Sequence, residues 1–267
     1  MKLRNLFYLS LVLSFVSCGD SESIVDSALK DQILLLGNGT EPQDLDPHTV
    51  TGVPEHKILL SLMEGLVTRH PEGKGSVPGV AERWVISEDG KEYTFYLNKK
   101  AKWSNGDSVT ANDFVYSWKR ILMPSMAALY ADMLYVVKNA EAYNRGEIGD
   151  FTQVGVKAID DFTLKVSLNN STPYFLALLS HYSTWPVHKP TIEKFGEIDT
   201  RGTKWTRPEN FVGNGPYLLA EWKLNDVIIV KKNPLYWNAG VVTIKEIRFY
   251  ASDNDTTEDL RYRAGQL

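Results

Sequence analysis

The chain has 267 residues, 43% hydrophobic and 23% charged, values ordinary for folded protein with room for one large domain or two smaller ones. Its 33 acidic residues outnumber 29 basic ones, and the formal net charge of -4 argues against a nucleic-acid partner, because phosphate binding needs a basic face. A single cysteine excludes an intrachain disulfide, so packing must hold the fold.

Lys2 and Arg4 precede the apolar run Leu6–Val16, which is too short for a permanent transmembrane helix, and small residues lead into Cys18. Residues 1–18 therefore read as an export signal. Phe15-Val16-Ser17-Cys18 resembles a bacterial lipobox, in which Cys18 carries the lipid anchor. The Ser/Asp-rich stretch that follows reads as a flexible tether over residues 19–30.

Ile33–Leu36, bounded by polar residues and Gly37-Asn38-Gly39, reads as a buried strand. Pro54–Val67 carries Ile58, Leu59, Leu62 and Leu66 at helical spacing, and the Gly/Pro-rich stretch Pro71–Gly79 reads as a loop at a lobe boundary. Glu88-Asp89-Gly90 marks a turn into Tyr93–Leu97, whose alternation predicts a strand with Tyr93, Phe95 and Leu97 on one face. Thr110 and Asp113 cap a helix whose apolar face is Phe114, Val115, Trp118, Ile121 and Leu122, and Pro124 ends it. Phe162–Leu168 alternates as a second half-buried strand, and Tyr174–Leu179 reads as helical. Strands follow at Tyr217–Trp222, Val227–Lys232 and Glu246–Tyr250, and Asp255–Gly265 opens a helix.

Catalytic chemistry finds little purchase in this sequence. There is no Gly-x-Ser-x-Gly elbow and no cysteine beyond Cys18 to act as a nucleophile. The histidines at 48, 56, 70, 181 and 188 lack the His-x-x-x-His spacing of a helical zinc site, and each reads as a surface or turn residue. No phosphate loop or dinucleotide fingerprint is present. No catalytic residue, metal or cofactor is assigned. A glycosidase would need two carboxylates that converge on one pocket, and nothing in the sequence selects such a pair.

A series of longer motifs points elsewhere. Leu45-Asp46-Pro47-His48, Glu64-Gly65-Leu66, Pro78-Gly79-Val80-Ala81-Glu82-Arg83-Trp84, Ala101-Lys102-Trp103-Ser104-Asn105-Gly106-Asp107, Val109–Trp118, Gly213-Asn214-Gly215-Pro216-Tyr217 and Asn233-Pro234-Leu235-Tyr236-Trp237 occur in this order. Together they resemble the peptide-binding members of the family-5 solute-binding proteins. The resemblance implies an α/β fold, a periplasmic-binding-protein-like lobe of type II, cluster C. Its first lobe is discontinuous, over residues 31–63 and 188–267, with an inserted α+β subdomain over 64–187. The second lobe of such proteins has no counterpart here, so the chain reads as truncated, and alone it is expected to bind peptide weakly and to expose apolar surface.

The resemblance further implies capture of extended peptides for an ABC permease by a monomeric, lipid-anchored protein. The peptide is held by strand addition, which reads backbone rather than side chains. Thr51, Gly52 and Val53 match the first-lobe edge that meets the ligand, and Tyr130 matches an aromatic lining the cavity. Relatives often carry an acidic residue at the position of Thr51. Other solutes of the same family (dipeptides, cell-wall peptides, nickel complexes or oligosaccharides) stay open, as does a surface binding module without transport.

Overall fold

Alternation and capping decide most of the elements in this computed structural model, which describes residues 22–267. In chain order they begin with helix α1 (Ile24–Lys30), strand β1 (Ile33–Gly39), helix α2 (Val53–Leu62), and strands β2 (Val67–Arg69), β3 (Ser76–Pro78), β4 (Ala81–Ile86) and β5 (Glu92–Leu97). Next come helices α3 (Ala111–Leu122) and α4 (Ala140–Asn144), strands β6 (Val156–Asp160) and β7 (Thr163–Ser167), and helices α5 (Phe175–Leu178) and α6 (Lys189–Phe195). Strands β8 (Tyr217–Lys223), β9 (Val227–Lys232) and β10 (Glu246–Ala251) and helix α7 (Asp255–Arg263) complete the described chain.

Two separate cores result. Strands β4-β5-β7-β6 form an antiparallel sheet, and the buried faces of β5 and β7 (Tyr93, Phe95, Leu97, Leu164, Val166) pack with Phe114, Trp118, Ile121 and Leu122 of α3. This core draws its buried residues from Leu66 to Leu179. Thr110 N–H and Oγ1–H both donate to Asp113, at 2.7 and 3.0 Å, which fixes where α3 starts. The second core gathers Leu45–Met63 and Tyr182–Phe249 around a sheet of order β1-β10-β9-β8. There β1 runs parallel to β10, which joins the beginning of the described chain to its end.

The structure corrects several expectations. Within the tether expected over 19–30, Ile24–Lys30 instead form α1: Ser23 accepts the Asp26 N–H at 3.1 Å and the Asp26 carboxylate reaches back to Ser23, a capping box. The Ser/Asp composition there serves a helix start rather than disorder. The export signal and Cys18 lie outside the described residues. The loop expected at Pro71–Gly79 is the tip and return strand of a β2–β3 hairpin. Tyr182, Trp185 and Val187 pack into the second core. Strands β2, β4 and β6 and helices α4 and α6 are additional to the elements read from the sequence, and α2 stops at Leu62, short of the helical spacing read as far as Val67, which instead opens β2.

Candidate functional site

The segment from Leu45 to Val53 is held from beneath by a buried ion pair. Asp46 receives both terminal nitrogens of Arg120, at 2.8 and 2.6 Å, and neither side chain is more than 1% exposed. Arg120 also donates Nε to the Ile198 carbonyl at 2.8 Å. Burial pushes the Asp46 carboxyl up, but the Arg120 charge and its hydrogen bonds overcome that and hold it below the usual range. The Asp46 carbonyl then accepts from Thr49 and Val50, and its carboxylate from His48 N–H, so the turn is pinned to α3 of the other core.

His48 and His188, expected as surface or turn residues, are buried, His48 within the turn at 47–49. His48 Nδ1 lies 2.9 Å from Arg120 Nη1 and accepts from it, which requires a neutral ring. Burial first, and then the Arg120 charge, push the His48 pKa down to about 3. The sequence reading missed this because the partner lies far along the chain. Among the described residues no cluster of acids, histidines or cysteines could hold a metal.

The pinned turn delivers Thr51, Gly52 and Val53 to the start of α2 with Thr51 and Val53 exposed. Gly52 caps α2 and Val53 opens it, so the N–H groups of Thr51, Gly52 and Val53 meet no backbone acceptor among the described residues and this short exposed edge keeps free donors. Tyr130, expected to line the same cavity, donates Oη to the Thr51 carbonyl at 3.4 Å, across 79 positions of sequence. Its ring stands edge-on to His181, with centroids 4.9 Å apart, and to Tyr182. Tyr182 is buried and donates to the Val50 carbonyl at 3.1 Å, which fixes the aromatic wall to the edge. His56, from α2, closes the cluster with centroid separations of 6.0 Å to His181 and 5.3 Å to Tyr182.

His56 and His181 thus join the predicted residues, and the sequence offered no period or spacing that marks either. Burial, then His56 and Arg69, push the His181 pKa down to about 4. Burial, then Arg69, lowers that of His56. Both rings are neutral at pH 7 and present edges and faces suited to apolar and hydrogen-bonding contact.

A junction between the cores lies nearby. Glu64 exchanges backbone hydrogen bonds with the Asn214 side chain, at 3.0 and 2.8 Å, while its carboxylate accepts from Tyr236 Oη and Trp237 Nε1, both at 2.6 Å. Three of the motifs noted above therefore meet at one glutamate. Burial pushes the Glu64 pKa up to about 7, against the pull of the Tyr236 and Trp237 donors.

A family model for bacterial extracellular solute-binding proteins, family 5 (middle part), matches residues 76–267. The chain belongs to this family. Among family-5 relatives, it is 44% identical over 238 residues to the periplasmic oligopeptide-binding protein OppA of Escherichia coli, covering 88% of this chain and 42% of the relative. It is 36% identical to the dipeptide-binding protein DppE of Bacillus subtilis, again covering 42% of the relative. The structure of Haemophilus influenzae OppA in complex with the peptide RPPGFSPFR superposes with a TM-score of 0.83 at 44% identity, over 88% of this chain and 45% of that one. The unliganded open form of the murein tripeptide-binding protein MppA gives 0.82 at 36% identity, over 88% of this chain and 44% of that one. The chain thus spans less than half the length of these family-5 proteins, and its mixed α/β architecture is that of the periplasmic binding proteins.

Proposed function

We propose that the chain carries one wall of a peptide groove in the extracytoplasmic binding component of an ABC importer. In this reading an extended peptide lays its backbone along Thr51–Val53 and its carbonyls accept from the N–H groups there, as part of an added strand would. Tyr130 forms the floor beside it, with His181 continuing that surface. The observation that carries the reading is the contact of Tyr130 Oη with the Thr51 carbonyl beside an exposed edge whose N–H groups meet no acceptor among the described residues. Because such bonds involve main chain only, the groove accepts many sequences. Thr51 is uncharged and adds no ionic preference.

Residues 31–63 and 188–267, with Tyr182, Trp185 and Val187 packed into the same core, act in this proposal as the lobe that presents the edge, and the preceding part of 64–187 as the inserted subdomain that presents Tyr130. Export follows from the family. The lipid anchor through Cys18 and the permease partner are part of the proposal. The names of the oligopeptide-binding relatives, and the peptide-bound structure among the neighbours, support peptides over other solutes.

Replacing Tyr130 with Ala tests the reading by calorimetry with short peptides. Loss of an aromatic contact predicts an affinity lower by about threefold to tenfold. Unchanged affinity would remove Tyr130 from the site.

A further inference from the structure

The aromatic wall does not end at His181. Ser180, its neighbour, accepts Arg69 Nε at 3.2 Å, which ties the exposed end of β2 to the turn after α5. Arg69 and Ser180 line an open cleft of about 520 Å³ between the β2–β3 hairpin and α5, with Pro71, Ser76 and Ala177 among its walls. Its lining contains no carboxylate. Arg69 makes no salt bridge among the described residues, and the acid at the hairpin tip, Glu72, is taken by Lys74.

The bond to Ser180 uses Nε and orients the guanidinium, leaving both terminal nitrogens for a planar partner. A carboxylate is the group that fits such a fork, through two parallel charge-assisted hydrogen bonds. A run of contacts joins the cleft to the proposed groove, from Thr51 through Tyr130 to His181, whose chain neighbour Ser180 lines the cleft.

We infer that Arg69 and its cleft form an anionic subsite of the groove, which takes a carboxylate of the bound peptide from an acidic side chain or from the C-terminus. The inference rests on the groove reading. It assigns a preference to a site whose main-chain contacts supply none.

The test titrates the chain at low salt with tetra-alanine, its C-terminal amide, and tetra-alanines carrying Glu or Gln at each position, followed by backbone amide shifts. The result expected is that one acid binds roughly threefold to fivefold tighter than its neutral counterpart, the gain of a partly exposed ion pair. In Arg69→Gln the acidic peptide should fall to the level of the neutral one. A discriminating Glu/Gln pair assigns the subsite to a side chain, and a discriminating acid/amide pair assigns it to the C-terminus. Equal affinity within every pair, with the Thr51–Val53 amides still shifting, overturns the subsite and leaves the groove standing. If no peptide moves those amides, the groove reading falls and takes the subsite with it.

Discussion

Two buried carboxylates in this protein titrate in opposite senses, and their environments explain why. Asp46 meets a guanidinium and stays ionised; Glu64 meets only the neutral donors of Tyr236 and Trp237, so burial wins and its pKa rises to about 7. For a carboxyl raised above its ordinary value of 4.5, the stability it contributes is complete below that value and is lost as pH climbs through about 7. The neutral rings of His48 and His181 add stability as pH rises towards 6.5, opposite in sign to Glu64, so the variant isolates the Glu64 contribution: in urea unfolding, the stability of Glu64→Gln should gain on that of the wild type as pH rises from 5 to 7. An unchanged slope in the variant would mean that Glu64 is ionised throughout. Little of this was legible in the sequence. Asp46-Pro47-His48 and Glu64-Gly65-Leu66 stood out as motifs, yet Arg120 lies 74 positions from Asp46 and Trp237 lies 173 from Glu64. Local spacing holds no record of such pairs. Thr51–Val53 and Tyr130 were reached only through family resemblance, and His56 and His181 were not reached, because loop and cluster residues carry no periodicity.

Elements were easier to read wherever one face is buried. Tyr93, Phe95 and Leu97 alternate cleanly and form β5, and the Thr110–Asp113 cap opens α3 where expected. In β6, by contrast, Ile159 is 54% exposed and the alternation fails, while β2 and β3 are too short to show a period. The close approach of the Gly213–Tyr217 loop to the end of α2 was also hidden. A Cβ on Gly215 would collide with the Met63 backbone nitrogen, and one on Gly213 with the Leu62 carbonyl, both atoms of main chain that cannot step aside. Gly215 also donates its N–H to the Leu62 carbonyl at 3.0 Å. Gly215→Ala should lower stability by about 1–3 kcal/mol, the usual cost of overpacking, measured by chemical denaturation. A neutral effect would show that this junction is looser than its geometry.

At the scale of the whole molecule, two cores meet at a few fixed points, and the proposed groove edge, Thr51–Val53, is held at that meeting. Arg120 belongs to α3 of one core and pins the turn of the other. Trp118, fully buried beside it, donates Nε1 to the Thr184 carbonyl at 2.9 Å, close to the chain's return into the second core. Tyr130 and Tyr182 reach the carbonyls of Thr51 and Val50. The edge thus stands on side chains from beyond its own segment, and such preorganisation lowers the ordering cost of binding. The central claim is that Thr51, Gly52 and Val53 pair with peptide backbone. The most direct measurement is the amide spectrum of the chain titrated with an uncharged extended peptide such as N-acetyl-tetra-alanine amide. The account predicts that the amides of Thr51, Gly52 and Val53 shift together with that of Tyr130 and exchange more slowly with solvent. Shifts confined to other surfaces, with these residues unmoved at saturating peptide, would contradict it.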